Sequence, residues 1–269
     1  MKDKLIQPFQ ILNDNKELIF ELARRDITDR YKGQPMGVLW AFIHPLVMIS
    51  IYVFLFAIVF QAKISSSVEM PQSYSAYILS GMVPWLCFQT AIVAGAASII
   101  TNGSFIRQVI FPVEVFPNKV IGSAIIIELI YLGLVLIYNT ISSCRLFWSY
   151  LLLPVALIFQ ILFLIGVNYL TSSISAYWRD VKDIVQVFCA IGVYLAPIVY
   201  LPDGIPQMFR PFIYINPFSY YIWVFQDVLY FGKITHPYAW IVCVALSVMT
   251  FYLGNAVFQK LKISFGSVV

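Results

Sequence analysis

Charge is the scarcest property of this chain: Asp, Glu, Lys and Arg make up 11% of its 269 residues, against roughly 25% in an ordinary soluble domain. That shortage excludes a water-facing globular surface. Histidine is nearly missing, with only His44 and His236, and neither has acidic or cysteine neighbours at metal-ligand spacing. The four cysteines, Cys87, Cys144, Cys189 and Cys243, are scattered, which argues against a zinc site or disulfide framework and for small apolar packing residues. No phosphate loop occurs: the one Gly-Lys pair, Gly232-Lys233, is followed by Ile and lacks the upstream Gly. Neither a nucleophile–base pair nor a set of paired carboxylates can be assembled. The chain is therefore expected to bind no cofactor and to perform no catalysis itself. Its net charge of +4 follows from membrane topology and calls for no nucleic acid.

What is present in excess is apolar length. Hydrophobic residues are 61% of the chain and the mean hydropathy is +0.84, the composition of an all-α integral membrane protein with almost no soluble part. A hydrocarbon core about 30 Å thick needs roughly 20 apolar residues per helix. Six windows meet that need: Val38–Phe60, Tyr74–Ile100, Phe116–Tyr138, Tyr150–Ser173, Ile184–Leu201 and Thr235–Phe258. The fifth is the shortest. None alternates apolar and polar residues as a β-barrel strand does. No cleavable signal peptide is expected, because mixed, charged residues precede the first apolar run. The chain divides into a segment 1–34 at the membrane surface, a six-helix membrane domain 35–259 and a tail 260–269, all one transmembrane domain.

Orientation follows from the basic residues between the spans. With the N-terminus inside, the inner side holds thirteen: Lys2, Lys4, Lys16, Arg24, Arg25, Arg30, Lys32, Arg107, Lys119, Arg179, Lys182, Lys260 and Lys262. The outer side holds four, Lys63, Arg145, Arg210 and Lys233. Both termini are expected in the cytoplasm.

Residues 16–31 read as an amphipathic helix, with Ile19, Phe20, Ala23, Ile27 and Tyr31 on one side. Such a helix lies in the membrane interface, its basic side chains toward lipid phosphates. The first span carries Trp40, His44, Met48, Tyr52, Phe56 and Phe60 four residues apart. At 3.6 residues per turn this is a slow spiral, and Tyr52 and Phe56 are candidates for a pore wall. In the second span Ala91, Ala94, Gly95 and Ser98 form a small-residue pattern suited to close helix packing. Glu128 is the one acid deep in a span, leaving two readings open: a functional acid or a hydrogen-bonded structural one. Between the fifth and sixth spans, aromatic residues from Phe209 to Phe231 are broken up by Pro202, Pro206, Pro211 and Pro217. Apolar pieces this short fit a re-entrant helical hairpin at the outer leaflet.

Two charged clusters interrupt this apolar sequence. Arg25-Asp26-Ile27-x-x-Arg30-Tyr31-Lys32-Gly33-x-x-Met36-Gly37-x-Leu39-Trp40, followed by Pro45, resembles the N-terminal signature of bacterial ABC-transporter permeases of the type-2 exporter family that export polysaccharides. Tyr177-Trp178-Arg179-Asp180-Val181-x-Asp183 is similar to their second cytoplasmic signature, and Asn216-Pro217 to the Asn-Pro before their last span. The resemblance covers nearly the whole chain and agrees with six spans, an interfacial helix and an outer hairpin.

It implies a half-transporter of the bacterial inner membrane, two copies of which form a channel over two copies of a separate ATPase subunit. ATP and Mg would be bound there. By the same resemblance Asn102, Ser104, Phe105, Ile106, Arg107 and Gln108 form the coupling helix that docks into the ATPase. Arg179, Asp180, Lys182 and Asp183 would be a second contact. The implied cargo is an O-antigen-like or capsular glycan on a polyprenyl pyrophosphate lipid, attracted by Arg24, Arg25, Arg30 and Lys32. Trp40, Tyr52 and Phe56 would line the channel. Phe212, Phe218, Tyr220, Tyr221, Trp223 and Phe225 would form its outer gate. A type-2 exporter of a drug or other small amphiphile shares the fold, but the full Arg-Tyr-Lys-Gly signature favours polysaccharide. An ion-coupled secondary transporter would need inverted repeats and more buried ionisable groups. A membrane enzyme acting on lipid-linked sugar would need clustered catalytic groups at one face.

Overall fold

The computed structural model describes residues 2–59, 73–108, 111–201 and 206–268, and among these the regular structure is entirely helical. Helix α1 (Lys2–Asp14) and α2 (Lys16–Arg30) precede α3 (Trp40–Val53), which widens into a π-helical turn over Phe54–Val59. Next come α4 (Tyr74–Thr101), the short α5 (Gly103–Gln108), α6 (Val115–Ser143) and α7 (Leu153–Tyr177). Then follow α8 (Asp180–Leu195), α9 (Arg210–Ile215), α10 (Pro217–Gln226), α11 (Pro237–Leu261) and α12 (Phe265–Val268).

Among the described residues five stretches are long and apolar enough to cross a membrane: Gly37–Phe56, Tyr74–Thr101, Val115–Ser143, Trp148–Tyr177 and Pro237–Ser264. The expected fifth span, Ile184–Leu201, is realised as the 16-residue α8, roughly 24 Å at 1.5 Å per residue. It starts earlier than expected, with Asp180 and Asp183 in a first turn that favours acids. It stops at Leu195 because Ala196 precedes a proline and turns extended, with ψ of 151°. The first expected span runs to Phe60, which lies outside the described residues.

Helix α4 is the hub, packed on α6, α7, α8 and α10, while α7 pairs along its length with α11. Small residues set how closely these helices approach. A Cβ on Gly95 would fall within 3.0 Å of the Asn168 amide, whose Nδ2 donates to the Ala91 carbonyl at 3.1 Å. Ala91, Gly95 and Ser98 of the expected small-residue pattern are buried, and Ala94 is half-buried. A Cβ on Gly192 would overlap the Trp85 ring, so α8 lies against α4 at that point. Around Trp85 the rings of Phe88, Phe163, Phe218 and Tyr221 meet edge-on or tilted, with centroids 4.7–5.9 Å apart. This is the favoured arrangement for aromatic quadrupoles.

Helix α2 does more than rest on a surface. Its Ala23 and Ile27 are buried, and a Cβ on Gly122 of α6 would come 2.9 Å from that of Ala23. The outer part of its apolar stripe, Phe20, stays 61% exposed. Helix α1 was not anticipated; it lays Phe9 on Phe251 of α11 at 4.9 Å.

Candidate functional site

One end of the bundle gathers both stretches expected to meet an ATPase. Helix α5 follows directly on α4, its turn closed by Ile106 N–H donating to the Asn102 carbonyl at 3.0 Å. Ser104, Phe105, Arg107 and Gln108 are exposed there, while Asn102 and Ile106 are half-buried. Rings of Phe105, Phe111 and Phe116 pack together at 5.2–6.0 Å and fix α5 to the start of α6. The second stretch opens α8: Arg179, Asp180 and Asp183 are exposed and Lys182 half-buried. Asp180 accepts from the Trp178 indole at 3.2 Å.

The C-terminal segment joins these two stretches, a link that sequence reasoning missed. Lys262 Nζ lies 2.6 Å from Glu114 Oε1, which also accepts from Gln259 at 3.1 Å. The Tyr177 hydroxyl donates to the Leu261 carbonyl at 3.1 Å. Phe265 is fully buried between Tyr177 and Phe258, and α12 touches α5. The signal in the sequence was a conspicuous acid, Glu114, between two prolines.

Burial alone would raise the Glu114 carboxyl, but the hydrogen bond from Lys262, the backbone, Gln259 and the lysine charge outweigh it, so the group is held below its ordinary value. A depressed carboxylate stabilises the fold above its unfolded value of about 4.3. That contribution disappears as pH falls through the lower folded value. Glu114→Gln is therefore expected to flatten the loss of thermal stability in acid. Glu114→Ala should cost about 1–3 kcal/mol near neutrality, discounted because Lys262 is partly exposed. Unfolding in detergent across pH 3–7 checks both.

Three of the four basic residues near the end of α2 are paired with acids. Arg25 pairs with Asp29 at 3.4 Å, Arg30 with Asp26 at 2.8 Å and Lys32 with Asp29 at 3.9 Å. These pairs are exposed, so each is weak and open to competition by an anion. The chain then reverses into α3 through Gly33 and Gly37, whose φ of 81° and 51° disfavour side chains. Those glycines and the adjacent charges coincide with the N-terminal signature.

Helices α3 and α8 each bury a narrow strip, Ala41, Pro45 and Ile49 on one and Cys189 and Gly192 on the other. Their remaining faces expose Phe42, Leu46, Val47, Ile51 and Phe54, and Val187, Phe188, Ile191 and Tyr194. Of the expected wall residues Trp40 is 37% exposed. Tyr52 and Phe56 are half-buried and stacked at 6.5 Å, and they begin a run of rings through Tyr74, Tyr77 and Tyr230.

At the other end, α9 and α10 are the short pieces foreseen for the proline-broken stretch. Asn216 caps α10: its Oδ1 accepts from Phe218 N–H at 3.1 Å, its Nδ2 donates to the Leu195 carbonyl at 3.2 Å, and Pro217 takes the first helical position. This gives the Asn-Pro pair a physical role. Asn216→Ala is expected to lower stability by about 1 kcal/mol, measurable as a lower unfolding temperature. Of the expected gate residues, Phe212 is 63% exposed and Tyr220 half-buried. Phe218, Tyr221, Trp223 and Phe225 are buried core residues in this conformation. Past α10 the helix widens over Asp227–Phe231. Carbonyls of Val228 and Leu229 are taken by Ser149 and Asn139 at 2.7 and 2.8 Å, as apolar surroundings require.

Among the described residues no group of three or more His, Cys, Asp or Glu is placed to hold a metal. The ABC-2 type transporter family profile matches residues 17–230. The chain belongs to the ABC-2 type transporter membrane family. With five long apolar helices among the described residues, this ABC-2 protein is a multi-pass membrane protein. It is 25% identical over 257 residues to the O-antigen export system permease protein RfbA of Klebsiella pneumoniae, covering 94% of this chain and 95% of that protein. The RfbA permease of Myxococcus xanthus is 23% identical, covering 97% and 98%. The polysialic acid transport protein KpsM of Escherichia coli is 18% identical, covering 91% and 93%.

Proposed function

We propose that this chain is the membrane permease of an ATP-driven exporter that carries a lipid-linked polysaccharide from the cytoplasmic to the outer side of the bacterial inner membrane. The observation that carries the proposal is its end-to-end similarity to permeases of O-antigen export. In this reading the termini are cytoplasmic, α8 is the fifth of six spans and α9–α10 form the re-entrant outer hairpin. The uneven distribution of basic residues and the broken helices favour that topology.

Two copies pair with the exposed faces of α3 and α8 toward a common channel, which accounts for apolar strips without partners in the single chain. Trp40, Tyr52 and Phe56 contribute to its wall, and Phe212 and Tyr220 to its outer mouth, framed by the buried rings behind them. Two ATPase subunits, holding ATP and Mg, dock on α5 and the start of α8. Because Lys262 and Phe265 join those stretches, the tail makes them move as one body, and ATP-driven closure of the ATPases biases the channel between two states. Arg25, Arg30 and Lys32 exchange their weak partners Asp29 and Asp26 for the lipid pyrophosphate, and Arg24 adds its charge. The test is reconstitution with its separate ATPase subunit. Lipid-linked glycan should reach the far side only while ATP is hydrolysed, and transport by this chain alone on an ion gradient would overturn the proposal.

A further inference from the structure

Between α3, α4 and α6 lies a cavity of about 220 Å³, lined by Arg30, Tyr31, His44, Thr90, Glu128 and Tyr131 together with apolar residues. Its depth is graded by exposure: Arg30, His44 and Thr90 are exposed at the lip. Glu128, Cys87 and Val83 are at most 3% exposed at the floor. The lip therefore carries a permanent cation and an imidazole, and the floor a carboxyl group.

Glu128 is held from one side only. Gln160 Nε2 donates to its Oε1 at 3.1 Å from α7, while Oε2 has no hydrogen-bond partner. The Cys87 thiol lies beside the group but is a weak donor. An acceptor left open in an apolar interior costs free energy of the order of 1–3 kcal/mol. It is offset when a ligand brings a hydroxyl. At the lip, the Arg30–Asp26 pair is exposed and weak, so a phosphate competes with the aspartate for the guanidinium. The volume is below the roughly 300–1,000 Å³ of a drug-sized site, which limits the occupant to one small polar unit.

We propose that this cavity is a subsite for one glycosyl phosphate unit, the sugar next to the lipid pyrophosphate. Its hydroxyls donate to Glu128 and its phosphate sits at the Arg30 and His44 lip. Thr90 supplies a further hydroxyl at the rim. The inference rests on the export reading and adds which part of the cargo is recognised and by what. It turns this buried acid into a specificity-determining residue: a lipid pyrophosphate without a sugar leaves Oε2 open, and one with a sugar fills it.

The test uses the full permease–ATPase complex in proteoliposomes and two probes, a short-chain prenyl pyrophosphate bearing one hexosamine and the same lipid without it. The readout is the concentration of each that half-maximally stimulates ATP hydrolysis. Glu128→Gln is expected to raise that concentration about fivefold for the sugar-bearing lipid, because the amide nitrogen that replaces Oε2 cannot accept from a sugar hydroxyl. The bare lipid should change by less than about twofold, so the ratio between probes collapses. Thr90→Val, on an exposed position, moves the ratio the same way by a smaller factor and serves where Glu128→Gln does not assemble. Arg30→Gln raises both concentrations together. An unchanged ratio in Glu128→Gln and Thr90→Val, with the wild type responding to the glycolipid, overturns the subsite alone. Failure of the wild type to respond to either lipid removes the export reading and the subsite with it.

Discussion

Replacing Gly254 by leucine is expected to prevent assembly of the helix bundle. A Cβ at Gly254 would fall within 3.0 Å of the Gly166 backbone, and one at Gly166 would meet the Thr250 and Phe251 backbone as closely. The neighbours are main-chain atoms in two long helices, so no rotamer change relieves the overlap. Overpacking a core with yielding side chains costs about 1–3 kcal/mol. Here α7 and α11 must separate along a seam that also carries the Ser247 hydroxyl to Phe159 carbonyl bond at 2.8 Å. A loss above about 3 kcal/mol, seen as absence of monodisperse protein after detergent extraction, is the expected result for Gly254→Leu and for Gly166→Leu. Gly133→Ala is the control: nothing lies within 4 Å of that Cβ, and alanine favours the helix by up to about 1 kcal/mol. Normal extraction of Gly254→Leu would contradict the close α7–α11 seam.

Asp227→Ala should have the second largest effect. The carboxylate is 1% exposed and serves three donors. Oδ1 meets His236 Nδ1 at 2.8 Å, while Oδ2 accepts from His236 N–H at 3.0 Å and the Trp240 indole at 3.2 Å. His236 also stacks on Trp223 with ring centroids 5.6 Å apart. One side chain thus ties the widened end of α10 to the first turn of α11. Removing it strands two N–H donors and the imidazole, which predicts a loss of about 3–5 kcal/mol. Asp227→Asn keeps the shape and one acceptor and should lose roughly half as much. Thermal unfolding and limited proteolysis between Ile215 and Pro237 measure this, and proteolysis should open in Asp227→Ala first. Equal stability of the alanine variant and the wild type would show that the clamp carries no weight.

Much of this was legible before folding. The helix at 16–31 appears as Lys16–Arg30, and the second, third, fourth and last spans appear within a few residues of their expected limits. Hydropathy and proline placement are local properties, and local properties survive into any packing. The fifth span was drawn too far, because a charge-free window does not register that Ala196 must turn extended before Pro197. The aromatic stretch was recognised as broken, yet four of its six candidate gate rings are interior. Composition cannot tell a ring facing a channel from one facing a neighbour. Asp227 was overlooked beside Glu128 although both are acids within apolar runs; its partners His236 and Trp240 are close in sequence and become meaningful only once the chain turns back on itself.

The sequence by itself determined the class of molecule, the ends of its long helices and the family to which it belongs. Scarce charge, length of apolar run and the Arg-Tyr-Lys-Gly and Trp-Arg-Asp clusters are written in the chain order. Only the tertiary structure decided which small residues lie in seams and which polar groups share a partner. Glu114 with Lys262, and Glu128 with Gln160, lie 148 and 32 positions apart. In an apolar interior such groups satisfy each other only through helix packing, which no one-dimensional pattern encodes.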